Sequence, residues 1–124
     1  MVLDHAMLYV WDFGVMAKFY GQVLQAEPGN AEWVESWAWF REARFALHAI
    51  PGELAREMVI DSPPVAREDS PVKLIFRVAD IAAERERLEG MGVRVLERPW
   101  QTPDGAFDCV DPEGNVFQVS PGLG

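Results

Sequence analysis

One cysteine and two histidines among 124 residues leave few side chains for soft-metal chemistry. With Cys109 alone, an internal disulfide and a cysteine-cluster metal site are both excluded. Within FDCV that thiol reads as a buried, inert side chain, the alternative being a reactive one. No run of 18 or more uncharged apolar residues occurs, so nothing reads as membrane-spanning. A basic region followed by an apolar segment and a small-residue cleavage site is also missing, and Asp4 interrupts the start; the expectation is a cytoplasmic protein. Positive charge is scarce: 11 Lys and Arg against 20 Asp and Glu give a net charge of -9. That field repels phosphate backbones and excludes nucleic acid as a partner unless the basic residues are strongly segregated. It suits a cationic or neutral ligand, and equally plain solubility. What the chain does have is 49% apolar and 25% charged residues, the profile of one ordinary domain able to bury a core without staples.

Residues 2–11, VLDHAMLYVW, read as a strand loaded on both faces. Leu3, His5, Met7, Tyr9 and Trp11 take one face, and Val2, Asp4, Ala6, Leu8 and Val10 the other. Such a strand is covered on both sides, or covered on one while the other lines a cavity. Asp12 suits a helix N-cap, and Val15, Met16, Phe19, Tyr20, Val23 and Leu24 recur at helical spacing after it. Pro28-Gly29 marks a turn. Residues 32–50 read as an antiparallel hairpin in which Trp37 and Trp39 alternate with Ala38 and Phe40, and Ala46 and His48 with Phe45 and Leu47. Pro51-Gly52 stops it, residues 58–62 suit a short edge strand, and Pro63-Pro64 with REDSP form the best internal boundary.

After that boundary the opening pattern returns. Val10 and Asp12 recur as Val78 and Asp80, each 68 residues on. VKLIFRVAD reads as a strand, Asp80 as the cap of a helix over IAAERERLEGMG, and Val93–Leu96 as a short strand. Residues 97–105 form a loop, and FDCV and NVFQVS are the last strands, joined by the turn DPEGN with Asp111 bonding its backbone amides. The spacing implies an α+β fold of two βαβββ modules in one domain, over residues 1–62 and 71–121, joined by a Pro-rich linker. One module alone leaves a sheet face uncovered.

The stretches LDHAMLYVWDFGVMAKFYGQVLQAEP, RFALHAIPG, VKLIFRVADIAAERERLEGMGVRVLERP and PDGAFDCVDPEGNVFQVS together resemble the vicinal oxygen chelate superfamily. That group contains glyoxalase I, extradiol dioxygenases, fosfomycin-resistance enzymes and bleomycin-resistance proteins. FYGQVL and DPEGNVFQVS are the specific parts. The resemblance implies curved mixed sheets that enclose a cup, frequent dimerisation, and in the enzymes a divalent metal in that cup. The implied ligands lie on the first strand of each module and on the last strand, three residues after the asparagine of the turn; some members add one on the last strand of the first module.

His5 matches the first of these positions, but Lys73 stands at the second and Gln118 at the third. A protonated amine has no lone pair to give and repels a divalent ion, and an amide oxygen brings no charge. His48 lies near the first module's extra position, so a zinc, iron, manganese or nickel ion would have to rely on His5, His48 and Gln118. The expectation is therefore no metal cofactor. If His5 faces the cup, alternation brings Met7 and Tyr9, and then Lys73, Ile75, Arg77 and Gln118. Five tryptophans are dense for this length; Trp37 and Trp39 share a strand face, and Trp100 stands in the long loop where this fold lids its cup, so a planar guest could stack there.

These residues favour a non-catalytic binder of a hydrophobic or aromatic, even cationic, small molecule, similar to bleomycin-resistance proteins, as a homodimer. The alternative is a metal-dependent glyoxalase-type lyase or a dioxygenase-like enzyme, which needs the metal to polarise vicinal oxygens. A partner-binding regulator with a filled cup is a third reading.

Overall fold

In the computed structural model, residues 1–27 and 36–123 are described. The Pro28-Gly29 turn, Trp33 and the first part of the expected hairpin lie outside the described residues. The chain divides into two compact units, Met1–Ser62 and Pro63–Gly124. The fold is α+β, with two βαβββ-like modules of mixed sheet.

In the first unit β1 (Ala6–Val10) leads into α1 (Phe13–Leu24). The Asp12 carboxylate accepts the Val15 N–H at 3.2 Å, satisfying one of the donors a helix start leaves open. Strands β2 (Trp37–Phe40) and β3 (Phe45–Ala49) form the hairpin, in register Trp37 to His48 and Phe40 to Phe45. Strand β1 pairs parallel to β3, giving the order β1-β3-β2. The α1 stripe covers one face of this sheet: Met16 and Tyr20 are wholly buried with Val10, Ala38, Phe40 and Leu47. Tyr20 meets Phe45 edge-on at 5.0 Å. Burying each such side chain stabilises by about 1.5–3 kcal/mol, which makes this face the energetic centre of the unit.

Two expectations change here. Val2 and Leu3 are about nine-tenths exposed and unpaired with a strand, so β1 starts at Ala6, where its N–H first reaches the Arg44 carbonyl at 3.1 Å. Residues 58–62 form no strand; a short helix α2 (Gly52–Ala55) precedes them and Val59 is 87% exposed. Apolar β-branched residues without a sheet edge to bond have no ladder to join, and Pro63-Pro64 closes the segment.

The second unit carries the whole β-α-β-β-β pattern: β4 (Leu74–Arg77), α3 (Ile81–Gly90), β5 (Arg94–Val95), β6 (Phe107–Val110) and β7 (Val116–Ser120). The strand order is β4-β7-β6-β5, parallel for β4 with β7 and antiparallel elsewhere. Asp80 caps α3 through the Ala83 N–H at 3.0 Å, as Asp12 caps α1. Ile81 and Leu88 of α3 are buried, as are Phe107, Cys109, Phe117 and Val119 on one face of the sheet. Asp111 organises the β6–β7 turn, accepting from the Glu113 and Asn115 N–H groups at 2.9 and 3.0 Å and from Asn115 Nδ2 at 2.8 Å. Among the described residues no helix is long and apolar enough to cross a membrane.

Candidate functional site

Each sheet has one face packed by its helix, and the candidate residues stand on the other. In the first unit, cross-strand register puts Met7 beside Ala46, Tyr9 beside His48, and Trp37 and Trp39 beside His48 and Ala46. Met7 and Tyr9 are 41% and 57% exposed, although apolar strand residues are favoured inside. Rings pair across this face: His5 meets Trp39 edge-on at 5.2 Å, and Tyr9 lies 5.3 Å from His48. Six of the predicted residues therefore share one surface: His5, Met7, Tyr9, Trp37, Trp39 and His48.

Hydrogen bonds fix the two imidazoles. The His5 Nδ1–H donates to Asp4 at 2.6 Å and the His48 Nδ1–H to the Ala49 carbonyl at 2.8 Å, because those oxygens can only accept. Each ring keeps Nε2 as its remaining nitrogen. The His5 hydrogen bond and then the Arg44 guanidinium, at 2.6 Å, hold the Asp4 carboxyl below the usual carboxylate range. Arg44, expected to be part of a hydrated turn, also lies 5.3 Å from the centre of the Trp39 ring.

In the second unit the open face carries Lys73, Ile75, Arg77 and Gln118, and it holds one residue the sequence reading passed over. Asp108 alternates with Phe107 and Cys109 on β6, so it points to this side, opposite Gln118. It has no solvent exposure. Its carboxylate accepts from Lys73 Nζ at 2.8 Å, Gln118 Nε2 at 3.1 Å and Arg98 Nε at 3.2 Å. Its own N–H donates to Gln101 Oε1 at 3.1 Å. Arg98 is in turn held by both Glu68 oxygens, at 2.6 and 2.8 Å, which keeps it firmly charged and draws the Glu68 carboxyl below its usual range. Trp100, half-exposed, lies 6.0 Å from Lys73 Nζ. The Lys73 ammonium thus has its charge matched from beneath. Cys109, next along β6, is buried, and burial followed by the Asp108 charge pushes its thiol up to about 12, as expected of an inert side chain.

The donor set does not fit a divalent metal. His48 is level with Tyr9, four residues beyond His5, or roughly 13 Å of strand, while zinc–imidazole bonds are about 2 Å long. Each imidazole also packs against its own aromatic neighbour, so His5 and His48 do not converge. Lys73 is committed to Asp108, and Gln118 turns its amide nitrogen to the same carboxylate. Among the described residues no group of three or more His, Cys, Asp or Glu side chains is placed to hold an ion.

Comparison with known proteins agrees with this architecture. No curated protein matches the chain. Among solved structures, a variant of the fosfomycin resistance protein FosX from Listeria monocytogenes, complexed with Mn(II) and 1S,2S-dihydroxypropylphosphonic acid, is similar with a TM-score of 0.67 and 14% identity, over 98% of this chain and 90% of that one. A protein from the mobile metagenome of V. Pseudocholerae is similar at 0.64 and 26%, over 97% and 93%. A bleomycin-binding protein complexed with bleomycin is similar at 0.62 and 18%, over 99% and 100%. A family model described as the Glyoxalase-like domain matches residues 2–120. With nearly the whole chain matched and both modules present, this protein belongs to the glyoxalase-like family of the vicinal oxygen chelate superfamily.

Proposed function

We propose that the protein binds a hydrophobic or aromatic small molecule on its open sheet faces without a catalytic metal. The observation that carries this reading is the Asp108 cluster, which takes up the side chains at two of the superfamily's three ligand positions, Lys73 and Gln118. Aromatic rings on each unit support the ligand class, exposed Tyr9 with part-buried Trp37 and Trp39 on the first and exposed Trp100 on the second, since such rings offer rigid apolar area with a polar edge. A cationic guest is less well supported than the net charge suggested. The faces of Trp39 and Trp100 already have Arg44 and Lys73 over them.

A second reading, a metal-dependent enzyme, draws on the FosX likeness, whose manganese complex has the highest TM-score among the three structures compared. The solved structures lean to that reading and the donor chemistry of this chain leans away from it. Metal analysis of protein purified without added metal, followed by calorimetric titration with Mn(II), separates the two. The binder gives well under one equivalent of metal and no saturable heat, while a planar aromatic ligand quenches tryptophan fluorescence. Near-stoichiometric tightly held metal would bring the enzyme reading to the front.

A further inference from the structure

Glu68 reaches the Asp108 cluster from outside the sheet. It comes from the 63–71 segment, which contains no helix or strand, and its side chain is 55% exposed. Even so, both of its oxygens grip the Arg98 guanidinium, the geometry a free carboxylate adopts with arginine. Beneath it Arg98 and Lys73 share the buried Asp108 carboxylate, so the four charges sum to zero with Glu68 in place. Taking Glu68 away leaves one uncompensated positive charge on a sheet face beside the half-exposed Trp100 ring and the exposed Ile75.

We propose that Arg98 and Lys73 form a carboxylate subsite for an aromatic acid, and that Glu68 fills it in the free protein as an internal stand-in which the ligand's carboxylate displaces. The proposal rests on the small-molecule-binding reading and names the ligand's class. Asp108 is not the group displaced: it is wholly buried, and its loss would strand two cations and an amide. Glu68 is half in water, so its side chain can swing out, and the bidentate pair it gives up is remade by the ligand's own carboxylate, which keeps the exchange near even. The segment that bears it stays anchored, since the Arg67 N–H reaches the Gly114 carbonyl at 2.8 Å and Arg94 the Pro64 carbonyl at 3.3 Å. Displacement is then a side-chain swing, with the backbone held. An acid that replaces Glu68 keeps the charge balance, while its ring gains the Trp100 and Ile75 surface that Glu68 cannot use.

Calorimetric titration with 2-naphthoate and its neutral counterpart 2-naphthylmethanol tests this on the wild-type chain, Glu68→Ala and Arg98→Lys, with circular dichroism as the check of folding. Wild type should prefer the acid. Glu68→Ala should bind the acid about three- to tenfold more tightly, by removal of an internal competitor, and the alcohol unchanged. Arg98→Lys, which keeps the charge but loses the fork, should lose most of the preference. Equal binding of both probes, with Glu68→Ala indifferent, overturns the subsite and leaves the binding reading standing. Weaker acid binding by Glu68→Ala also overturns it, as Glu68 would then be a tie that shapes the face. Binding of neither probe to any of the three proteins overturns both.

Discussion

Asp108 has no contact with water, and three side chains from three segments donate to it: Lys73 before β4, Gln118 on β7 and Arg98 in the β5–β6 loop. Losing one partner of a buried ion pair costs more than the pair contributes, because the remaining charge is left without compensation. Asp108→Asn should therefore destabilise by about 3 kcal/mol, the low end of the range for broken buried pairs, since Lys73 is 39% exposed and can turn to water. Lys73→Met should cost about 1 kcal/mol, as Arg98 and Gln118 still serve the carboxylate. Urea unfolding midpoints of the two variants measure the difference, and the reverse order would show that Lys73, not Asp108, is the centre. The cluster was partly legible in the sequence. Alternation in FDCV already sets Asp108 opposite Phe107 and Cys109 and on the Gln118 side. What no local pattern gives is the partner of Lys73, because residues 73 and 108 meet only once β4 and β6 flank β7. Read alone, the lysine showed only a charge that repels a divalent ion.

The elements that were legible are those with a local cause. Asp12 and Asp80 cap their helices through N–H groups three residues on, and the hairpin register follows from alternation on both sides of one turn. Those that were not depend on a distant edge, as with residues 58–62. The β6–β7 turn shows the local kind at its strictest. Gly114 has φ +89°, a conformation side chains rarely adopt, and a Cβ there would run into the Val65 carbonyl oxygen. Gly114→Ala should then cost roughly 2–4 kcal/mol, from backbone strain together with displacement of the 63–71 segment. Gly90→Ala makes a suitable contrast. It lies at the end of α3 with nothing within 4 Å of an added Cβ, and alanine is the better helix former, so stability should rise by about 0.5 kcal/mol. Thermal unfolding of the pair gives opposite shifts if the turn is fixed by the glycine's conformation. Equal small shifts would mean that the turn readjusts.

At the scale of the whole molecule, the excess of nine negative charges acts against folding, since each folded unit holds its charges closer together than the unfolded coil does. Ion pairs act the other way, but most of those seen here are partly or largely exposed, such as Arg44 with Asp4 and Arg85 with Glu89, and each contributes about 0–1 kcal/mol at most. Salt weakens both effects. Which one dominates depends on range: the pairs act at about 3 Å, well inside any screening length, whereas the excess charge repels over distances that exceed the roughly 8 Å Debye length at physiological ionic strength but fall within the roughly 30 Å at 0.01 M. The repulsion is therefore screened first. Raising NaCl from 0.01 to 0.15 M at pH 7 should stabilise the protein by on the order of 1 kcal/mol, a melting-temperature rise of about 3–6 °C for a chain this size. A fall in melting temperature over the same range would show that the surface pairs outweigh the net charge. The Asp108 carboxylate is itself buried and its pairs are screened less than the surface ones, so the gap between Asp108→Asn and the wild type should change little while both curves move upward.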